Sequence, residues 1–413
     1  MALVESEPVW RRGEPVFTPR LLEDPYSFYH RLRSECPVYP DQGTGEILIT
    51  RYRDVVAVLK HPGLTSRGIV DAGIPIPKPF LRLMRPVRDL LSKQMLFSDP
   101  PDHTRLRSLA NRAFTPRVVQ TMRPRIQEIA NELLDQADRG GVIDVVRDFA
   151  VWLPLLVVAE MLGVPTRDRD RFKLWSDDLA LFIGGSTVPL PVVLLRAGRG
   201  VFGLRRYFTR LVRQRRRSTP GDDLLGALLA AEERGDALTE DELIANSILL
   251  LAAGHETTTN LIGNGMLALL RHPDQLDLLR REPELMDSAV NELLRYESPV
   301  QWTGRRVSVE LEIGGIRIPA GRTLAVGLAA ANRDPEQFPE PDRLNLRRTE
   351  NAHVAFGHGI HFCLGAALAR LEGHIALATL LERYPEIRLL DEAPRWQQNF
   401  TLRGLKSLRV AVR

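Results

Sequence analysis

The sequence predicts a mainly α protein with minor sheets. Three observations carry this: six long stretches with apolar residues every three or four positions, few and short alternating stretches, and one very long helical segment through the middle. The helical stretches are 120–138, 150–163, 221–232, 239–271, 283–297 and 364–383. Strand signals sit at 46–50, at 306–318 around a Gly314-Gly315 turn, at 323–327 and near 400–412. The longest helix opens with Thr239 as N-cap and Glu242 as its box partner, and Pro273 ends it. At 1.5 Å per residue it spans roughly 45–50 Å, so it must cross the core. Its middle breaks the pattern. Leu249 to Ala253 are apolar all round, and Gly254, His255, Glu256 and three threonines then follow. A charge inside a buried segment costs several kcal/mol unless paired or hydrated, and sequences break local rules chiefly at functional sites.

Length and composition narrow the classes. The chain has 413 residues, 44% hydrophobic and 26% charged, which excludes disordered and fibrous proteins. At roughly 150 residues per domain the length suggests two to three domains, yet no linker or repeat divides the chain, which favours one large unit. Lys and Arg number 56 against 52 Asp and Glu, a net charge of +4, so nucleic-acid binding is not expected. The two cysteines, Cys36 and Cys363, are too far apart in sequence to form a disulfide framework, which suits a reducing cytoplasm. Neither a signal peptide nor an apolar run of membrane-spanning length is legible, so no stable membrane anchor is expected.

The segment Phe356-Gly357-His358-Gly359-Ile360-His361-Phe362-Cys363-Leu364-Gly365 feeds directly into a helix rich in Ala and Leu. Its glycines allow positive-φ turns and close approach to a flat ligand, and the helix start directs amides and dipole at the sulfur. Both effects favour thiolate. A lone anionic sulfur suits an axial ligand to haem iron. A plain buried cysteine and a zinc site of His358, His361 and Cys363 are the competing readings, and the zinc site lacks a fourth ligand.

The ten-residue segment resembles the cysteine loop of the cytochrome P-450 superfamily, matching Phe-Gly-x-Gly-x-His-x-Cys-x-Gly at every fixed position. The similarity extends over essentially the whole chain. Asp-Pro-Pro-Asp-His-Thr-Arg at 99–105, the central helix, Glu-x-x-Arg, Asn332-Arg333-Asp334-Pro335 and the cysteine loop follow in the family's order. The resemblance implies a single large domain over 1–413 with a small β-rich lobe, of the soluble bacterial kind. It makes Cys363 the metal ligand and Glu256 and Thr257 the acid–alcohol pair that delivers protons when O2 is split. A Thr hydroxyl bonded back to the carbonyl one turn earlier is the ordinary alternative.

The resemblance also implies a haem b pocket. His103, Arg107, Arg305 and His361 would meet the two propionates, with Arg306 an alternative to Arg305, and Phe356, Gly357 and Gly365 would form the cysteine-side wall. Glu292 and Arg295, three apart on a helix, would form a structural network with Arg343, for which His353 competes. Ala252, Ala253, Val300, Trp302 and Phe400 are candidate substrate contacts, with 62–96 and 180–204 as variable pocket regions. The implied activity is O2-dependent hydroxylation or epoxidation of a lipophilic small molecule, such as a natural-product intermediate. A peroxygenase and a non-catalytic haem or ligand-binding recruitment module are the rivals.

No flavin or iron–sulfur motif is present, so electrons must come from NAD(P)H through a ferredoxin or flavodoxin with its reductase. Arg105, Arg112 and Arg117 could steer such an acidic partner. Nine arginines and no acid lie between Arg196 and Arg217, which reads as a solvated amphipathic helix, with membrane contact as the lesser reading.

Overall fold

The computed structural model describes residues 15–69, 84–138, 140–217, 223–233, 238–391, 393 and 395–413. Part of the variable stretch 62–96 and the first residues of the helix expected over 221–232 lie outside them. Helices dominate. The central one runs Glu240–Arg271 and has the expected capping box: Glu242 N–H donates to the Thr239 hydroxyl (3.3 Å), and Thr239 N–H donates to the Glu242 carboxylate (2.9 Å). Most of its length is buried on all sides, as its uniform apolar character requires. Around it pack Trp152–Met161, Arg169–Gly184, Leu190–Arg215, Met286–Tyr296 and Ala366–Arg383, and Arg123–Ala137 packs behind on Ala366–Arg383 and Trp152–Met161. The helix Arg169–Gly184 is one that apolar spacing alone did not mark. Its turn-by-turn mixture of charge and apolar residues has only a narrow buried face, of which Phe172, Leu179 and Phe182 are the large members.

The sheets are small, as expected. The largest orders Val38–Pro40, Ile47–Ile49, Thr323–Gly327, Trp302–Val307 and Leu64–Thr65, with Ile47–Ile49 parallel to Thr323–Gly327 and the other neighbours antiparallel. The stretch expected at 306–318 divides into the end of Trp302–Val307 and a hairpin, Leu311–Ile313 with Ile316–Ile318. Gly314 and Gly315 turn that hairpin at φ +56° and +80°, where L side chains are strained. Val142–Asp144, Arg409–Val412 and Ile387–Leu389 form a third sheet. One large apolar cluster joins the helices, and two smaller ones sit under the main sheet. No helix among the described residues is long and apolar enough to cross a membrane.

The arginine-rich stretch lies on and just beyond Leu190–Arg215, whose apolar face packs on the preceding helix. Arg196 and Arg199 grip the buried Asp178 at 2.7 Å each, so part of this charge is structural.

Candidate active site

The cysteine loop is folded by its glycines. Gly357 and Gly359 stand at φ +72° and +71°, and a Cβ on Gly359 would lie 2.5 Å from the Leu59 carbonyl oxygen. The Cys363 amide donates to the Phe356 carbonyl at 2.9 Å, and the helix Ala366–Arg383 starts three residues after the sulfur. The Gly365 amide donates to the sulfur, and the guanidiniums of Arg107 and Arg370 favour its anion. Burial opposes all three and pushes the thiol above its ordinary range. Without a metal, burial is the larger of these effects, and the Gly365 amide and the two guanidiniums oppose it. Metal ligation deprotonates a thiol outright.

The central helix carries its break at mid-length. Its flanking turns are buried, yet Ala253 is exposed and Ala252, Gly254 and Thr257 are only half-buried, so the helix opens onto a space at mid-length. The Thr257 hydroxyl donates to the Ala253 carbonyl (3.0 Å), and that of Thr258 to Gly254 (3.2 Å). Glu256, one position and about 100° away, is buried beside His255, Asp177 and Gln397. Burial, with the Asp177 charge, pushes its carboxyl up to about 7, against the pull of the Lys173 ammonium.

The four expected cationic groups come together at one edge of the loop. The rings of His103 and His361 lie 4.3 Å apart, and His361 Nε2 is 3.1 Å from the Ser66 hydroxyl. Arg107 donates to the Phe362 carbonyl. Arg305 is buried while Arg306 is exposed, which resolves that choice in favour of Arg305 as the inward-facing group. Burial pushes Arg305 down to about 10 and His361 to about 3, with Arg305 adding to the second shift. Asp99 is the one acid that favours their charged forms, and it already accepts from the Thr65 hydroxyl and the Ser66 amide. His103 Nε2 is buried with no partner. Such a cluster, with His103 and Arg305 buried and Arg107 and His361 half-buried, fits a ligand with two carboxylates beside a flat face, as haem propionates require. Among the described residues His358, His361 and Cys363 do not converge as metal ligands.

Glu292 and Arg295 are fully buried and paired twice, at 2.8 Å each. Arg295 also donates to the carbonyls of Asn332, Pro341 and Arg343. The third side chain of this network is Arg348, whose Nε lies 3.1 and 3.2 Å from the Glu292 oxygens. This corrects the assignment to Arg343, whose side chain is exposed on Glu340 and which contributes only its carbonyl. Sequence spacing could not separate these arginines, since the turn between them decides which points inward. His353 instead meets Asn291.

The substrate-facing expectation for Trp302 is also corrected. Trp302 is buried among Tyr29 and Phe17, donating its indole N–H to the Tyr29 hydroxyl at 3.0 Å, and Phe400 packs on Phe17. Both belong to the apolar cluster of the small lobe, where alternation along the strand sends residue 302 to the far face. Val300 is half-buried and bridged to Leu402. Arg105 is held by Glu242 and Asp102, while Arg112 and Arg117 are exposed.

Comparison with known proteins agrees with this geometry. The family profile for cytochrome P-450 matches residues 194–387. The vitamin D(3) 25-hydroxylase of Pseudonocardia autotrophica is 43% identical, with 96% of each chain covered. The 6-deoxyerythronolide B hydroxylase of Saccharopolyspora erythraea is 40% identical over 94% of this chain and 96% of its own. The crystal structure of CYP109E1 from Bacillus megaterium, in complex with testosterone, superposes with a TM-score of 0.87 at 34% identity, covering 95% of this chain and 99% of that one. The family implies haem iron, O2 and electrons from a redox partner. With its glycine-turned cysteine loop, the break in the apolar pattern of its central helix and near-full-length relatives at these identities, the chain belongs to the cytochrome P-450 family of haem-thiolate monooxygenases.

Proposed function

We propose that the whole chain is one domain that binds a haem b, which Cys363 would hold by its iron and His103, Arg107, Arg305 and His361 would hold by its propionates. The observation that carries this is the cluster of donors beside the cysteine loop, with His103 Nε2 unpartnered and Arg305 lacking a carboxylate of its own. Phe356, Gly357 and Gly365 form the wall on the sulfur side. A bound haem held by that thiolate would supply the O2 chemistry, in which two electrons and two protons are taken up, one oxygen atom enters a C–H or C=C bond and the other leaves as water.

The chain's own groups then supply protons and exclude water. Thr257, facing the opening, positions a water with its hydroxyl, and Glu256 passes protons to that water from the side of helix Arg169–Gly184. A carboxyl held near 7 serves this role well, since it both gains and loses a proton at working pH. Ala252 and Ala253 leave room at the opening, and Val300 stands at the lobe boundary. We infer a lipophilic substrate of moderate to large size, a natural-product intermediate. The similarity to a 6-deoxyerythronolide B hydroxylase and a vitamin D(3) 25-hydroxylase supports this class. Electrons come from NAD(P)H through a ferredoxin or flavodoxin that meets Arg112 and Arg117, and the work is done in the cytoplasm.

The test is spectral. Reduced protein with carbon monoxide should give the strongly red-shifted Soret band of thiolate ligation, and Cys363→Ala should lose it. An unchanged band in that variant would overturn the assignment. In Thr257→Ala the band should persist while product formed per O2 consumed falls at least about tenfold and peroxide rises.

A further inference from the structure

Behind the opened turn of the central helix lies a group of donors that the oxygen chemistry does not use in full. Asp177, on helix Arg169–Gly184, meets His255 and Glu256 of the central helix, and one ligand atom from each lies within 4.8 Å of the others. His255 Nε2 is 3.5 Å from Glu256 Oε2. The imidazole is 1% exposed, and neither ring nitrogen has a hydrogen-bond partner of acceptable geometry. The Leu251 and Ala252 carbonyls lie near the ring and slightly favour a proton on it. A buried imidazole so placed is costly unless something accepts its lone pair. Lys173 Nζ holds both oxygens of Asp177, at 2.6 and 2.7 Å, and is the one cation of the group. Asp177 is about one-third exposed, which leaves a way in from solvent.

We propose that Asp177, His255 and Glu256 form a binding site for a divalent transition-metal ion, Zn2+ above all. One imidazole and two carboxylates are a donor set that zinc takes, with a water as fourth ligand. In a tetrahedral zinc site, ligand atoms lie roughly 3.4 Å apart, so the His255–Glu256 edge of 3.5 Å already matches. Asp177 must close by about 1 Å, turning one oxygen to the metal while the other keeps Lys173. Binding displaces the Glu256 proton to solvent, and the bound carboxylate can no longer pass protons toward Thr257. Zinc is thus an inhibitor acting on proton delivery, without touching the haem. That consequence rests on the role proposed above for Glu256, whereas the binding site does not.

The experiment titrates ZnCl2 into ferric holoenzyme against a chromophoric zinc chelator, and separately measures product per O2. One tight equivalent is expected. His255→Asn and the near-isosteric Asp177→Asn should each weaken it at least about tenfold, with the carbon monoxide band unchanged. Lys173→Met, which frees Asp177, should tighten it. No tight equivalent, or equal affinity in wild type and both ligand variants, overturns the site. Zinc that binds through His255 yet leaves product per O2 unchanged upholds the site and overturns the proton-donor role of Glu256.

Discussion

At the scale of single residues, the positions of charged groups inside the protein make sharp tests. Arg348 and Arg343 are five apart and equally basic, yet one stands on the buried Glu292 and the other on the surface. Arg348→Ala should lower unfolding free energy by about 3 kcal/mol, since it strips a cation from a buried carboxylate. Arg343→Ala should stay within about 0.5 kcal/mol, since its carbonyl survives. Urea denaturation of the two variants checks this. Glu372 is buried against Thr258, and burial pushes its carboxyl up to about 8. Folded protein therefore keeps this proton after the unfolded chain, near 4.5, has lost it. The stability so gained is full below about 4.5 and disappears as pH rises to about 8. Glu372→Gln should remove that part of the pH dependence, an effect of at most about 5 kcal/mol, seen as a Tm that falls less between pH 5 and 8. Glu256, Thr257 and Cys363 were legible as residues because each breaks the pattern around it. Arg348 and Trp302 were not, since inward and outward positions share one composition.

Among the elements, the long helix was readable to within a residue at its start, because Thr239 and Glu242 cap each other and leave few alternatives. The helix Met286–Tyr296 follows from its strong two-sidedness, while Arg169–Gly184, with a thin apolar face, gave no comparable signal. The hairpin at 311–318 was readable only at its turn, because three-residue strands are too short to show alternation. The cysteine loop is the most constrained element. Gly359→Ala would add a methyl 2.5 Å from the Leu59 carbonyl at φ +71°, where any side chain is strained. The backbone of the loop or of helix Tyr52–Lys60 must then move. We expect a loss of haem and of the red-shifted carbon monoxide band in proportion.

For the whole molecule, the near balance of charge excluded a nucleic-acid protein but could not show where the unpaired charge lies. Arg112 and Arg117 are exposed, Arg107 touches the cysteine loop, and Ile360 and Phe362 of that loop are exposed. Reduction by an acidic ferredoxin should slow as salt rises from roughly 0.1 to 1 M, where the screening length shrinks from about 10 to about 3 Å. The double variant Arg112→Glu, Arg117→Glu should reduce slowly at every salt concentration, with stopped-flow traces as the readout. The Glu292–Arg295 pair binds the carbonyls of Asn332, Pro341 and Arg343, and Asn332 in turn receives the Val354 amide at the head of the cysteine loop. None of these atoms belongs to the segments that vary the pocket. The fastening of the sulfur and the shaping of the cavity are therefore separate workshops: exchanging 180–204 for a relative's sequence should redirect which molecule is oxidised and leave the anchorage of the prosthetic group as it was.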